Sequence, residues 1–324
     1  MTSGLEASTW PLIARGPVFE DHEVGRTFAH AWGRTVHASD NIVFSTQMLA
    51  FNPLYLDRDH VDRSGPRGEV VNPMLVLSVV LGLSVEDLSE GGGPFLGANR
   101  VNFHRDVHVG ETLYATSTVL AARPSASQPD SGVVTWRTIG RTGAGDTVID
   151  FERSNLVRRA DHSVETLPVP DGYAEDFLPG QRFRHARGRT ITDLDLNGLT
   201  LLVMNTAQAH FSHESMVDTV FGERINFGGL TLALTIGLAT EDTTGQAVRE
   251  IGLDAARFPT PVRNGDTIQT ATEVRAIDRA DNDSAIVTFH HLGINQRREV
   301  ACEVDRRTLL RTRSAVAASG RSTR

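Results

Sequence analysis

The sequence predicts two α+β units in tandem, on the basis of chain length, an internal repeat and the order of its apolar segments. At 324 residues the chain is long enough for two domains of ordinary size. Hydrophobic residues make up 40% of it and charged residues 22%, values typical of globular proteins and unlike those of disordered or fibrous chains. We therefore expect a sizeable buried core.

The internal repeat is the strongest of these observations. When the sequence is shifted over itself by 155 positions, ten of the 21 residues from 20 to 40 meet an identical residue, which is too many for coincidence. The same register returns further along the chain, where Phe103 meets Phe258. Two copies of one unit explain this agreement. We predict an N-terminal copy at 17–158, with a degenerate motif, and a C-terminal copy at 173–311, with the catalytic motif.

Both copies show the same order of elements. A short strand is followed by a segment with helical spacing, a strongly apolar helix and a run of alternating strands. The apolar helices, 74–88 and 230–240, are apolar on most faces, so we expect both to be buried. Strands are predicted at 27–36, 98–107, 111–122, 132–139 and 147–158, and again at 182–191, 254–262, 266–277, 284–292 and 298–310. A buried helix beside antiparallel strands is an α+β unit.

Composition narrows the possible functions. The sequence contains no lysine, so chemistry that needs one, such as a Schiff base, is excluded. Cys302 is the one cysteine, which excludes an internal disulfide and a cysteine-ligated metal cluster. The net charge of -8 argues against nucleic acid as a partner. No apolar stretch reaches the roughly 20 residues of a membrane span, and the first residues lack a signal-peptide pattern. We therefore expect a cytoplasmic protein without membrane contact.

Two six-residue windows in the same register of the repeat carry the functional signal. Residues 50–55 read AFNPLY, and residues 205–210 read NTAQAH. With these windows the chain resembles the MaoC-like double hot-dog hydratases and dehydratases, which include (R)-specific enoyl-CoA hydratases and mesaconyl-CoA-type hydratases. The resemblance covers nearly the whole chain. It implies an α+β tandem hot-dog fold, in which two antiparallel sheets, each wrapped on a buried helix, pair into one continuous sheet.

The resemblance also implies a chemistry. In this family a D-x-N-P-x-H motif holds and activates a water through its Asp and His, and the amide of a following Gly polarises the thioester carbonyl. The first copy has Ala50 and Tyr55 at the Asp and His positions, whereas the second has Asn205 and His210. The implied function is that of a hydro-lyase. It would hydrate an enoyl-CoA or dehydrate a 3-hydroxyacyl-CoA, with a short or branched acyl group.

The chemistry of water addition ranks the two copies independently of the family. The reaction needs a base for the water, a proton for the α-carbon and a donor for the enolate oxygen. His210 can act as base and acid, and Asn205 can orient a water although it cannot take its proton. Pro73 in the first copy stands where Gly228 stands in the second, and proline has no amide hydrogen to donate. We predict one active site per chain, with catalytic His210, Asn205 and Gly228 and substrate-binding Gly229 and Tyr55.

Structural roles remain open for these residues. The Asn205 amide can instead cap local backbone groups, the Gly228-Gly229 pair can serve close helix packing, and Tyr55 can be a core residue. Asp40 and Asp195 follow a repeated Arg-Thr pair and are predicted to be helix N-caps.

No metal and no separate cofactor are predicted. His213 and Glu214 lie close to His210 in the sequence, but they lack a defined third ligand. CoA enters only as part of the acyl-CoA substrate, and an acyl carrier protein remains an alternative carrier. Two other functions stay open, namely hydrolysis of an acyl-CoA thioester and non-catalytic binding of acyl thioesters. We expect a monomer or a homodimer.

Overall fold

The chain folds as two units. The computed structural model describes residues 3–63, 68–161 and 165–314. One unit is Arg15–Asp161, hereafter the N-terminal unit, and the other is Met1–Ala14 with His162–Arg324, hereafter the C-terminal unit. The segment before residue 15 thus belongs with the second copy of the repeat, which the repeat itself does not predict.

Strands dominate both units. The strands are β1 Leu12–Ile13, β2 Thr27–Ala29, β3 Arg34–Thr35, β4 Phe95–Phe103, β5 Thr112–Pro124, β6 Ser131–Thr142, β7 Thr147–Arg158, β8 Thr166–Leu167, β9 Arg182–Thr190, β10 Ala247–Arg257, β11 Thr267–Arg279, β12 Ser284–Asn295 and β13 Val300–Arg311. The α-helices are α1 Gly4–Ala7, α2 Ala38–Gln47, α3 Pro53–Leu56, α4 Arg58–Arg63, α5 Pro73–Leu83, α6 Thr200–Leu202 and α7 Gly228–Thr243. Single 3₁₀ turns lie at Phe19–Asp21, Ala174–Asp176, Gln208–His210 and Glu214–Met216, and Leu194–Leu199 is π-helical.

The N-terminal unit is an antiparallel sheet packed on α5. Its strand order is β2-β5-β6-β7-β4, and β3 also pairs with β5. The helix begins where the sequence places a proline at its first position, and the side chain of Asn72 caps it by accepting the N–H of Met74 at 2.9 Å. Leu75, Val76 and Val80 then face the sheet in one apolar cluster. The helix ends at Leu83, earlier than predicted.

The C-terminal unit repeats this arrangement around α7. Its strand order is β10-β13-β12-β11-β9-β1-β8, with β1 parallel to both of its neighbours. The buried face of α7 carries threonines, and their hydroxyls donate to carbonyls one turn back, as Thr235 does to Thr231 at 2.9 Å and Thr243 to Ala239 at 2.7 Å. These hydrogen bonds offset the free-energy cost of burying the hydroxyl groups. In the described ranges no helix is both long and apolar enough to cross a membrane.

Each unit therefore has a mainly antiparallel sheet wrapped on one long helix, so the predicted α+β double hot-dog class is confirmed. A histidine–aspartate pair with a buried histidine recurs in the register of the repeat. Nδ1 of His30 lies 2.7 Å from a carboxylate oxygen of Asp87, and Nδ1 of His185 lies 2.6 Å from Asp242. The predicted strand 27–36 is interrupted at His30, between β2 and β3, whereas β9 runs unbroken through the equivalent His185.

Among the described residues the strands form two sheets, one in each unit, and the pairing of these sheets into one continuous sheet stays a prediction. The end strands β4 and β10 are irregular, since both shift register against their neighbours. Arg100 and Ala255, at equivalent positions of the repeat, have φ values of 51° and 54° within these strands. A bulged edge presents its N–H and C=O groups unevenly and is a poor template for a further strand.

Candidate active site

The predicted catalytic residues lie on the segment between β9 and α7 of the C-terminal unit and at the first residue of α7. After α6 the chain reverses at Met204, whose φ of 57° lies in the left-handed region. This backbone is costly for a bulky side chain and persists where the surrounding structure enforces it. Leu49 has a φ of 55° at the equivalent place in the N-terminal unit, so the turn belongs to both copies. It leads directly into the two six-residue windows.

His210 ends the 3₁₀ turn Gln208–His210, and two contacts orient its ring. Nδ1 lies 2.9 Å from the carbonyl oxygen of Ile225, and the ring centroid lies 5.5 Å from that of Phe227. Because a carbonyl oxygen can only accept, Nδ1 carries the ring proton and Nε2 presents its lone pair. The half-buried imidazole is thus held with Nε2 available as a base.

Asn205 takes a local role with one of its two side-chain groups. Its Oδ1 accepts the backbone N–H of Ala207 at 2.9 Å, which is the capping geometry that the sequence left open. Asn52 in the first copy does the same for Leu54 at 3.0 Å. The amide Nδ2 of Asn205 has no hydrogen-bond partner among residues 3–63, 68–161 and 165–314, and it is the group that can orient a water.

Gly228 and Gly229 are the first two residues of α7. In the first copy the equivalent helix start is closed, because Pro73 has no N–H and the N–H of Met74 donates to Asn72. In the second copy Phe227 stands at the N-cap and offers no side-chain acceptor. The first N–H groups of a helix have no acceptor within the helix, so those of Gly228 and Gly229 remain available to an anionic oxygen.

Gly229 also makes room for Phe227. A Cβ at Gly229 would stand 2.6 Å from the Phe227 ring, closer than any real contact, whereas a Cβ at Gly228 would meet Phe258 at an ordinary 3.6 Å. A side chain at Gly229 would therefore force the Phe227 ring to move, whereas a Cβ at Gly228 would not. Through Phe227, Gly229 bears on the position of the His210 ring.

Tyr55, the fifth predicted site residue, lies in the N-terminal unit. It is half-buried and lines a cavity of about 110 Å³ together with Ala38, Ile42 and Glu69. Burial, and to a lesser degree the negative charge of Asp106, raise the pKa of Tyr55 above its ordinary value.

Asp40 and Asp195 were predicted to be N-caps, and the structure corrects their positions. Each lies inside the first helical turn and accepts the backbone N–H of the residue three places before it, His37 at 2.9 Å and Thr192 at 2.8 Å. They complete the cap from within the helix, as the third residue of a capping box does. Burial alone would raise the pKa of Asp195, but the N–H of Thr192 and the guanidinium of Arg189 hold it below the ordinary value.

Sequence reasoning missed Arg224. It immediately precedes Ile225, and its guanidinium donates to Oδ1 of Asp193 at 2.6 Å and to Oδ1 of Asn197 at 3.2 Å. The sequence alone could have pointed to this residue. The repeat register aligns Arg224 with Glu69, so an acidic residue in the first copy is replaced by a basic residue in the second. In the part of the chain that the structure describes, no three metal-ligating side chains come together.

Known proteins resemble the chain over most of its length. A family model described as mesaconyl-CoA hydratase matches residues 11–176 and 179–312. The mesaconyl-CoA hydratase of Haloarcula hispanica is 31% identical over 313 residues, covering 87% of each chain. The β-methylmalyl-CoA dehydratase of Chloroflexus aurantiacus is 25% identical over 292 residues, covering 81% of this chain and 82% of the relative. A MaoC domain dehydratase structure, also from Chloroflexus aurantiacus, aligns with 92% of this chain and 98% of its own, at 23% identity and a TM-score of 0.44.

Proposed function

The chain belongs to the mesaconyl-CoA hydratase family, and we propose that it is a hydro-lyase that adds water to a branched enoyl-CoA thioester and removes it again in reverse. The observation that carries this proposal is the orientation of His210. Its Nδ1–H is taken by Ile225, so Nε2 is the base, and its ring lies beside the open N-terminus of α7.

The proposed reaction uses one histidine for both proton transfers. Nε2 of His210 accepts a proton from a water whose oxygen bonds to the β-carbon of the enoyl group. The electron pair of the double bond moves towards the thioester, and the N–H of Gly228, with that of Gly229 beside it, stabilises the enolate oxygen. The protonated Nε2 then donates to the α-carbon. One water has been added and the neutral imidazole is restored.

Asn205 has an orienting role in this scheme. An amide cannot accept the proton that an aspartate would take, so Asn205 supplies its Nδ2–H to the oxygen of the water and leaves the proton to His210. Hydration by this chain therefore depends more heavily on one group than it would with the Asp of the family motif.

The substrate that we propose is a mesaconyl-type thioester, because the relatives are named for mesaconyl-CoA and β-methylmalyl-CoA. A mesaconyl group is a four-carbon unsaturated diacid with a methyl branch. The corresponding β-methylmalyl group is its hydrated form. One site that binds both acyl groups would serve hydration and dehydration alike.

Mass-resolved turnover tests the proposal. Mesaconyl-CoA, itaconyl-CoA, crotonyl-CoA and a longer enoyl-CoA are incubated with the wild type, His210→Ala and His213→Ala, the last being an exposed neighbouring histidine as a matched control. We expect a mass gain of one water with an intact thioester, lost by about 10³-fold in His210→Ala and retained in His213→Ala. Release of free CoA would instead identify a thioesterase. Binding without turnover in the wild type would identify a non-catalytic acyl-thioester protein.

A further inference from the structure

The two copies differ in charge at equivalent positions around their motif windows. In the N-terminal unit the cavity beside Tyr55 is lined by mostly apolar side chains together with Asn41, Asp57, Arg58 and Glu69, and the last two form an ion pair. The register of the repeat carries four of these lining positions to the candidate site, as follows: Ala38 to Asp193, Ile42 to Asn197, Tyr55 to His210 and Glu69 to Arg224. The copy with the histidine is thus also the copy in which an acidic position has become basic.

The residue that follows Arg224 is hydrogen-bonded to the turn that carries His210. This residue, Ile225, accepts the hydrogen bond from Nδ1 of His210 at 2.9 Å, and the N–H of Ile225 donates to Ala209 at 3.2 Å. The segment that carries Arg224 is therefore hydrogen-bonded at two places to the turn that carries the proposed base, namely at the ring of His210 and at the carbonyl of Ala209. Any shift of one would move the other.

The guanidinium of Arg224 has more N–H donors than its two observed partners use. Only 21% of its side chain is exposed, and two of its five N–H groups serve Asp193 and Asn197. Asn197 is neutral, and the Asp193 side chain is 61% exposed, so water screens this ion pair and keeps it weak. The remaining N–H groups can donate to a second carboxylate in the two-pronged manner that arginine favours.

The proposed substrate has a carboxylate at the matching place. In the monothioester of any four-carbon unsaturated diacid, the free carboxylate is bonded directly to the β-carbon, which is the carbon that the water attacks. A group that binds this carboxylate must therefore lie close to the base that activates the water. A cation there also offsets the negative charge that would otherwise repel electron density arriving at the β-carbon.

We propose that Arg224 binds the free carboxylate of the acyl group and thereby selects diacid thioesters over monoacid ones. This inference rests on the proposed function for its choice of ligand. Asn197 positions the guanidinium, and Asp193 competes with the substrate carboxylate for it. Selection arises because a diacid adds a charge-assisted hydrogen bond to the partly buried guanidinium, whereas a monoacid brings an apolar group to the same place and gains no such bond.

Binding of saturated analogues tests the proposal without requiring turnover. Dissociation constants of methylsuccinyl-CoA, a diacid, and 2-methylbutyryl-CoA, in which a methyl replaces the carboxylate, are measured for the wild type and Arg224→Gln. Arg279→Gln is the matched control, because Arg279 lies away from the candidate site and donates to backbone carbonyls of the β11–β12 turn. We expect Arg224→Gln to weaken the diacid by roughly 30-fold or more and the monoacid by less than about threefold. The control should bind both as the wild type does.

The variant Asp193→Asn should change the affinity for the diacid in the opposite direction. The amide oxygen can still accept from Arg224, but the competing charge is gone, so the diacid should bind several-fold more tightly and the monoacid unchanged. Equal loss of both analogues in Arg224→Gln, or no loss of the diacid, would overturn the inference. A wild type that binds the diacid through Arg224 yet hydrates no enoyl-CoA would refute the proposed function and leave the carboxylate site standing.

Discussion

The ring of Phe227 lies 5.5 Å from the ring of His210 and at the same time fills the space that a side chain on Gly229 would need. The residue at the N-cap of α7 therefore joins the predicted base to the start of the helix. The size of Phe227 bears on the position of His210, and its lack of a polar group leaves the first N–H groups of α7 uncapped. A polar residue there would cap the helix, as Asn72 does in the first copy, and would occupy the N–H groups proposed to hold the enolate oxygen.

Gly229→Ala should lower the rate by displacing Phe227. The added Cβ would stand 2.6 Å from the ring, so the ring must move and His210 loses its neighbour. We expect kcat for hydration to fall roughly tenfold to a hundredfold, since small misplacements of a catalytic group have effects of this size. Gly237→Ala in the same helix meets nothing within 4 Å and should keep wild-type kcat. Equal kcat values in the two variants would show that Phe227 does not position the histidine.

Gly228→Pro removes one N–H without disturbing the helix. Proline is favoured at the first helical position, Pro73 occupies it in the other copy, and Phe227 already has the extended backbone, at φ −60° and ψ 126°, that precedes proline. We expect an unchanged thermal unfolding midpoint and a fall in kcat of about 10²–10³. Gly228→Ala retains the N–H and has room for its Cβ, so it should remain active. Full activity in the proline variant would assign the enolate oxygen to another donor.

Asp195 should make the free energy of unfolding depend on pH in the acid range. Its pKa is lowered in the folded protein, so the carboxylate stabilises the fold above the ordinary value of 3.8, and this contribution is lost as pH falls through the lower folded value. Asp195→Asn keeps an acceptor for Thr192 but loses the charge opposite Arg189. We expect it to reduce the free energy of unfolding by about 1 kcal/mol at pH 7, with the difference shrinking below pH 4. Urea unfolding at both pH values measures this, and a difference that is constant with pH would contradict it.

Much of the architecture was predictable because it follows from local pattern. The apolar runs that became α5 and α7 are encoded by neighbouring residues, and their ends moved by a few positions because caps and back-bonded threonines, not hydropathy, decide where a helix stops. The 155-residue register placed His210 and Gly228 in one copy because equivalent residues of a repeat occupy equivalent places.

Contacts between residues distant along the chain were not encoded in this way. The sequence pattern selected His210 as an acid or base, but its tautomer depends on a carbonyl 15 residues away, and the anchor of Arg224 depends on Asp193, 31 residues before it. The pairing of β1 with β8 and β9, and the irregular edges of β4 and β10, likewise depend on the path of the whole chain. Periodicity specifies which face of an element is buried, whereas only the folded path determines which group it meets there.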